Sequence, residues 1–280
     1  MRRVLLSSDD NPLYIQFWPL VSAAWRRFGV EPLLALVTDK ARAEWKWMEE
    51  YGEVVQFNTR SDIPAGNWAK VARWMVYGMH PADVGIVACI DMIPLNQEYF
   101  DYLFEKTSDA DLVLASYDAY AGEPWAGDAD SRKFPGNYMA ASGATWQEIV
   151  NPLGLNQDDF VESWKGVSVY DSHESIDSGY DDFSEESMMR VAVHKWNPEQ
   201  DRVAKLDRPG GWNVIATRRI DRAAWTWSQC ELDVGYYLDC HCLRPLELYQ
   251  GEIKKLATAA GLDPALVDAG IKNGKQQETK

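Results

Sequence analysis

Four short segments in the first half of the chain are apolar at almost every position and alternate with helix-like segments. The apolar segments cover residues 4–7, 32–37, 54–57 and 84–90, and the helix-like segments cover 13–28, 41–51 and 68–79. Strands that are apolar on both faces are typical of a parallel sheet with helices on both sides, because each face must be buried. The pattern therefore predicts an α/β fold with a mostly parallel sheet flanked by helices.

The second half of the chain is less regular. Strand-like segments lie at 111–116 and 138–141, a helix-like segment begins near residue 145, and a terminal helix is expected over 246–259. Residues 171–186 contain seven acidic side chains and no Lys or Arg. Because no repeat or linker divides the chain, we expect one domain over residues 1–272, followed by a disordered tail over 273–280.

Charge and hydropathy exclude two classes of partner. The net charge is −15, with 43 acidic and 28 basic residues, whereas nucleic-acid binding requires a basic face. No apolar run approaches the ~18 residues that a membrane span needs, and the apolar stretch near the start is too short for a signal peptide. We expect a cytoplasmic protein. The 13 Trp residues either fill the core or provide stacking surfaces for a sugar or a base.

Polar side chains follow two of the predicted strands directly. Ser8 and Asp9 come after the first strand, and Asp91 comes after the fourth. In open α/β sheets the ligand crevice lies beyond the carboxyl ends of the strands. A carboxylate after a buried strand is costly unless it lies in such a crevice or binds a cation, although Asp91 could also simply hold the next turn.

The segment around Asp91 resembles the GT-A glycosyltransferases, in which a strand runs into Asp-x-Asp followed by an apolar residue and Pro-Leu. The triplet here is Cys89-Ile90-Asp91, and Met-Ile-Pro-Leu follows at 92–95, so the last Asp matches and the first is replaced by Cys. The resemblance implies a single GT-A-like domain with a Rossmann-like sheet. Residues 1–118 would form its nucleotide-binding half and residues 119–260 its irregular acceptor-side half.

The resemblance also implies an activity: transfer of a sugar from a UDP- or GDP-linked donor to a carbohydrate or another hydroxyl acceptor, assisted by Mn²⁺ or Mg²⁺. Ser8 and Asp9 would contact the nucleotide. Lys70 and Arg73, on the helix before the motif strand, would approach the diphosphate, unless they only form a solvated helix face. Arg244 would contact phosphate or pair with an acidic residue.

The resemblance implies metal ligands in a late segment as well. Many GT-A enzymes bring a late His to the metal, and His241 would partly replace the missing carboxylate beside Asp91. If residues 238–242 are extended, Asp239 and His241 point the same way, so Asp239 is the third predicted ligand. Alternatively, His241 packs against the terminal helix and bonds to Asp239. Cys240 and Cys242 are not expected to bind zinc, because a second ligand pair is missing.

The acidic stretch before residue 187 supplies candidates for a catalytic base. An inverting transferase must deprotonate its acceptor hydroxyl, and Glu185, Glu186 or Asp182 could do so, although most of these charges are expected to be solvated surface. Two alternatives stay open for the function. Cys89 favours a catalytically degenerate domain that binds carbohydrate or protein, and a transferase without metal would screen the phosphates with Arg73, Arg244 or Lys70.

Overall fold

The computed structural model describes residues 1–77, 79–117, 134, 136–164, 185–207 and 219–275. Within this part of the chain, seven strands form a central sheet and three short strands form a second one. The strands are β1 (Arg2–Asp9), β2 (Glu31–Val37), β3 (Glu53–Phe57), β4 (Val84–Val87), β5 (Met92–Pro94), β6 (Leu112–Ala115), β7 (Met139–Ser142), β8 (Val203–Leu206), β9 (Arg219–Ile220) and β10 (Asp239–His241).

Helices cover both faces of the central sheet. They are α1 (Pro12–Ile15), α2 (Trp18–Arg27), α3 (Arg42–Trp45), α4 (Ala65–Tyr77), α5 (Gln97–Lys106), α6 (Gly143–Val150), α7 (Gln157–Trp164), α8 (Glu185–Trp196), α9 (Gln229–Asp233), α10 (Gln250–Ala259) and α11 (Ala265–Lys275), and a 3₁₀ helix covers Lys46–Glu50. No helix in the described ranges has the length and apolarity to cross a membrane.

The strand order of the central sheet is β3-β2-β1-β4-β7-β6-β8. Strands β3, β2, β1 and β4 run parallel to one another, as do β6 and β8, whereas β7 runs antiparallel to both β4 and β6. The second sheet has the order β5-β10-β9, and β10 is antiparallel to β5. The predicted α/β class, a mostly parallel sheet flanked by helices, is confirmed.

The two faces of the sheet have separate hydrophobic cores. Val4 and Leu6 of β1 belong to one core with Trp25 of α2, whereas Leu5 belongs to the other with Trp68 of α4. Successive side chains of a strand point to opposite faces, so the middle of β1 is buried on both sides and is apolar from Val4 to Leu6. Five tryptophans are core residues with fully buried side chains: Trp18, Trp25, Trp68, Trp74 and Trp146.

Two predicted elements in the first half have different bounds in the structure. The helical segment 13–28 is divided into α1 and α2, and Pro19 lies in the first turn of α2, where its missing N–H costs nothing. A continuous helix would have needed that N–H. The apolar segment 84–90 is a strand only to Val87, because Met92 N–H donates to Cys89 O and turns the chain into β5.

The last helix was not predicted. Residues 273–275, assigned above to a disordered tail, form the end of α11, and residues 276–280 lie outside the described part of the chain. The helix is held by close packing on the turn between α1 and α2: a Cβ added at Gly270 would lie 2.0 Å from Gln16 O. Glycine at this position allows the two backbones to approach, and this contact orders the segment.

Candidate active site

A cleft of about 300 Å³ opens at the carboxyl ends of β1 and β4. The chain passes from β1 to β2 and β3 on one side, then returns to β4 on the other side of β1, and crevices form at such reversals of strand order. The cleft is lined by Ser7, Ser8, Asp9, Asn11, Tyr14, Gly66, Asn67, Ala69, Lys70, Arg73, Cys89, Ile90 and Asp91.

Asp91 is a buried carboxylate, 3% exposed, that faces three basic side chains. Arg222 Nη1 donates to Asp91 Oδ2 at 3.2 Å, and the same oxygen lies 3.4 Å from His241 Nε2 and 3.5 Å from Arg244 Nε. Burial disfavours the charged carboxylate. The contact with His241 and the charges of Arg222 and Arg244 outweigh it, so the pKa of Asp91 lies below its usual value.

The second sheet brings these basic residues to Asp91. His241 of β10 pairs with Met92 of β5, and Cys242 N–H donates to Asp91 O at 2.9 Å. Strand β9 pairs with β10 in parallel, which places Arg222, two residues after the end of β9, beside His241. The site therefore depends on three strands of two or three residues each.

His241 lies between an arginine and an aspartate. Arg222 Nη2 contacts His241 Nε2, and Asp221 Oδ2 lies 3.6 Å from His241 Nδ1. Arg222 and Asp221 are not among the residues predicted from the sequence, because their place beside His241 depends on the pairing of β9 with β10.

Asp239, predicted as a third metal ligand, has other partners. Arg219 donates to its two oxygens from Nε (2.6 Å) and Nη2 (2.7 Å), and Tyr138 donates its hydroxyl at 2.8 Å. Burial and the charge of Asp239 raise the pKa of Tyr138 well above its usual value. In the part of the chain that the structure describes, no group of three or more His, Cys, Asp or Glu side chains could hold a metal ion.

Asp91 and His241 remain as a pair of possible metal donors. Their facing atoms are 3.4 Å apart, and two ligands about 2.1 Å from an octahedral Mg²⁺ at a right angle are about 3.0 Å apart. An oxygen and an imidazole nitrogen suit Mn²⁺, and such ions commonly take their other ligands from substrate phosphates and water. The pair fits a divalent ion, provided that Arg222 leaves the position it now occupies against both side chains.

The predicted nucleotide-binding residues of β1 lie in the cleft. Ser8 is buried and its hydroxyl donates to Asp9 O at 2.6 Å, while Asp9 Oδ1 accepts from Asn11 N–H at 3.3 Å. Burial raises the pKa of Asp9, and the hydrogen bond from Asn11 offsets only part of this effect. Asn11 also caps α1 through its side chain.

The basic residues of α4 differ in their environment. Lys70 is exposed and lines the cleft, as predicted for either of its two interpretations. Arg73 is only 2% exposed, so the solvated helix face considered for it is wrong, and its Nη1 donates to Ala88 O at 3.2 Å. Arg244 lies over the Tyr14 ring, 4.5 Å from the centroid, and faces both Asp91 and the cleft wall.

One of the three predicted base residues is linked to the cleft. Glu186 Oε1 accepts from Gly136 N–H at 3.1 Å, and the neighbouring Asn137 Nδ2 contacts Cys89 Sγ at 3.0 Å. Glu185 is the first residue of α8. Asp182 lies outside the described residues.

No protein-family model matches the sequence, and no curated protein matches it. Solved structures do match the fold. Glucosyl-3-phosphoglycerate synthase from Mycobacterium tuberculosis, in complex with Mn²⁺, UDP and phosphoglyceric acid, is 12% identical over 94% of this chain and 79% of its own, with a TM-score of 0.43.

Two further structures match comparably. The glycosyltransferase GlyE of Streptococcus pneumoniae TIGR4 is 12% identical over 95% of this chain and 63% of its own, with a TM-score of 0.46. CMP:2-keto-3-deoxy-manno-octonic acid synthetase complexed with CTP is 12% identical over 75% of this chain and 95% of its own, with a TM-score of 0.40. At these identities and TM-scores, the likeness assigns neither a family nor an activity to this chain.

Proposed function

We propose that this chain is a GT-A-type glycosyltransferase that moves a sugar from a nucleoside-diphosphate donor, UDP- or GDP-linked, to a hydroxyl acceptor. The observation that carries the proposal is the cleft at the reversal point of the sheet, where the buried Asp91 is held beside Arg222, Arg244 and His241. A leaving diphosphate needs concentrated positive charge, and this edge of the sheet provides it in an otherwise acidic protein.

The diphosphate is the part of the donor that this site suits best. Guanidinium groups bind phosphate through two parallel hydrogen bonds, and Arg222 and Arg244 both contact Asp91, which lines the cleft together with Lys70. Mn²⁺ or Mg²⁺ held by Asp91 and His241 would neutralise the leaving group's charge. Arg73 supports the floor of the cleft through its bond to Ala88 O.

The nucleoside and the acceptor take the two sides of the diphosphate in this proposal. Ser8 and Asp9 end β1 within the cleft, where they would bind the nucleotide part. Glu186 accepts from Gly136 N–H, whose neighbour Asn137 contacts Cys89 of the cleft, and its carboxylate would accept the acceptor's proton if the transfer inverts configuration. Glu185 and Asp182 are the alternative bases, and the acceptor is a carbohydrate or another hydroxyl compound.

A binding panel followed by a turnover assay tests the proposal. UDP- and GDP-sugars with Mn²⁺ should raise the melting temperature, since a ligand at a hundredfold excess over its Kd adds ~2.7 kcal/mol to native stability. Donor hydrolysis should fall by at least about 10² in Asp91→Ala, because the variant loses the carboxylate that organises the charges at the leaving group.

Asp109→Ala is the matched control, because Asp109 is an exposed aspartate whose partner, Lys106, lies outside the cleft. Its turnover should equal that of the wild type. Asp91→Asn, which keeps the shape of the side chain, separates loss of charge from loss of folding. Absence of both binding and turnover for every donor would refute the proposal.

A second candidate function is a catalytically degenerate domain that binds a nucleotide sugar or a carbohydrate. Cys89 at the first motif position and the engagement of Asp239 by Arg219 and Tyr138 favour it, because Asp91 is then the one carboxylate left among the predicted metal ligands. Donor binding to the wild type without turnover under any metal condition would support this function instead.

A further inference from the structure

We infer that Arg222 is an internal cation that occupies the divalent-metal position, so that a metal ion can enter only when the donor's diphosphate draws Arg222 away. The inference rests on the proposed function and concerns how the same site is controlled. Its basis is that a single guanidinium contacts both possible metal donors, Asp91 Oδ2 through Nη1 and His241 Nε2 through Nη2.

Arg222 and a metal ion compete electrostatically for Asp91. A buried carboxylate without a counter-ion is costly, and in the absence of a metal Arg222 provides the closest cationic contact to Asp91, at 3.2 Å. A metal bound to Asp91 and His241 would occupy the space of the two guanidinium nitrogens. Because both cations need the same two donor atoms, they compete for one position.

Arg222 is better placed than Arg219 to move away from its carboxylate partner. Arg222 is 29% exposed and lies in the turn after β9, whereas Arg219, three residues earlier, is half as exposed at 16% and bonds to both oxygens of Asp239. The described hydrogen bonds and ion pairs of Arg222 go to Asp91 and His241. Movement of Arg219 would leave Asp239 buried without its charge partner.

The diphosphate of the donor is the group that the released Arg222 would bind. Once a divalent ion is bound, Arg222 and Arg244 are like charges beside it, and a metal alone adds to that repulsion. A diphosphate supplies the compensating negative charge and accepts the planar fork of the released guanidinium. Metal and nucleotide should therefore bind with positive coupling, and the coupling must be reciprocal.

Titration of the whole protein with Mn²⁺, followed by the EPR signal of the free ion, tests the inference without any activity assay. Arg222→Met should bind Mn²⁺ alone at least about tenfold more tightly than the wild type. Adding UDP or GDP should tighten Mn²⁺ binding to the wild type by a larger factor than in Arg222→Met, because only the wild type must first release its arginine.

Three variants serve as controls. Arg42→Met changes the net charge equally at a 69% exposed site that pairs with Glu49, and its Mn²⁺ affinity should match the wild type. Asp91→Asn combined with Arg222→Met should lose the tighter binding, which separates this site from adventitious binding to the acidic surface. Arg222→Lys should give an intermediate affinity, since one ammonium cannot contact both donors, and it replaces Arg222→Met if that variant does not fold.

Equal Mn²⁺ affinities for the wild type and Arg222→Met, with or without nucleotide, would overturn the inference while leaving the proposed function intact. The proposed function fails on a separate result, the absence of both binding and turnover for every donor.

Discussion

Two buried aspartates near the cleft are neutralised in different ways. Asp239 receives Arg219 on both oxygens and the Tyr138 hydroxyl, which leaves little capacity for a ligand. Asp91 shares one oxygen among three basic side chains at longer distances, from 3.2 to 3.5 Å. The contacts of Asp239 are therefore structural, whereas a ligand can rearrange the contacts of Asp91.

Because of the buried contact between Tyr138 and Asp239, the free energy of unfolding should depend on pH in the alkaline range. Tyr138 keeps its proton in the folded protein well above the usual pKa of about 10, because burial and Asp239 oppose its ionisation, whereas the unfolded chain releases it near 10. The folded state then holds more protons, so this contribution is present below pH 10 and is lost as pH rises. The slope is up to about 1.4 kcal/mol per pH unit.

Tyr138→Phe isolates this effect. The variant should be about 1.5–3 kcal/mol less stable at pH 8, the usual value of a hydrogen bond to a charged group, and its deficit should shrink between pH 10 and 11. Urea unfolding at fixed pH measures both quantities. Tyr102→Phe removes an exposed phenol as a control, and a deficit that stays constant from pH 8 to pH 11 would contradict the assignment.

At the scale of elements, the sequence determines the central sheet far better than the site. Strands β1 and β2 and the motif strand β4 can be predicted because both of their faces are buried, which requires a continuous run of apolar residues in each strand. The second sheet has strands of two or three residues, too short for any periodicity. Asp91 and His241 could be predicted from the motif resemblance, but Arg222 could not, since its position depends on the pairing of β9 with β10.

The last helix, α11, was also missed by the sequence analysis, and its packing can be tested directly. Its packing combines apolar contacts, such as that of the buried Val267, with a close approach at a glycine, since an alanine Cβ at Gly270 would lie 2.0 Å from the backbone oxygen of Gln16. Gly270→Ala should therefore cost about 1–3 kcal/mol, the usual cost of overpacking. Gly251 in α10 has nothing within 4 Å of its Cβ position, so Gly251→Ala should stabilise by about 0.4–1 kcal/mol.

Urea denaturation measures the free energy of unfolding of the two variants. Both changes add the same methyl group to a helical glycine, so the helix-propensity gain is shared and the difference reports the contact with Gln16. Equal effects of the two substitutions would show that α11 does not pack on the turn between α1 and α2.

At the scale of the whole molecule, the two proposed halves, 1–118 and 119–260, share one sheet. Strand β7 belongs to the second half but lies between β4 and β6 of the first, with which it makes both of its ladders. The cleft is also built from both halves, because β10 of the second half pairs with β5 of the first and Cys242 N–H donates to Asp91 O. Neither half can therefore complete its own sheet or the candidate site.

This shared sheet predicts a single cooperative unfolding transition. Trp18 and Trp25 report on one core and Trp68, Trp74 and Trp146 on the other, so tryptophan fluorescence follows both faces of the sheet while far-UV circular dichroism follows the backbone. The two signals should give the same urea midpoint, and Gly270→Ala should shift both by the same amount although it perturbs one face only. Separate midpoints, or a shift confined to one signal, would mean that the two halves unfold as independent domains despite the strand that joins them.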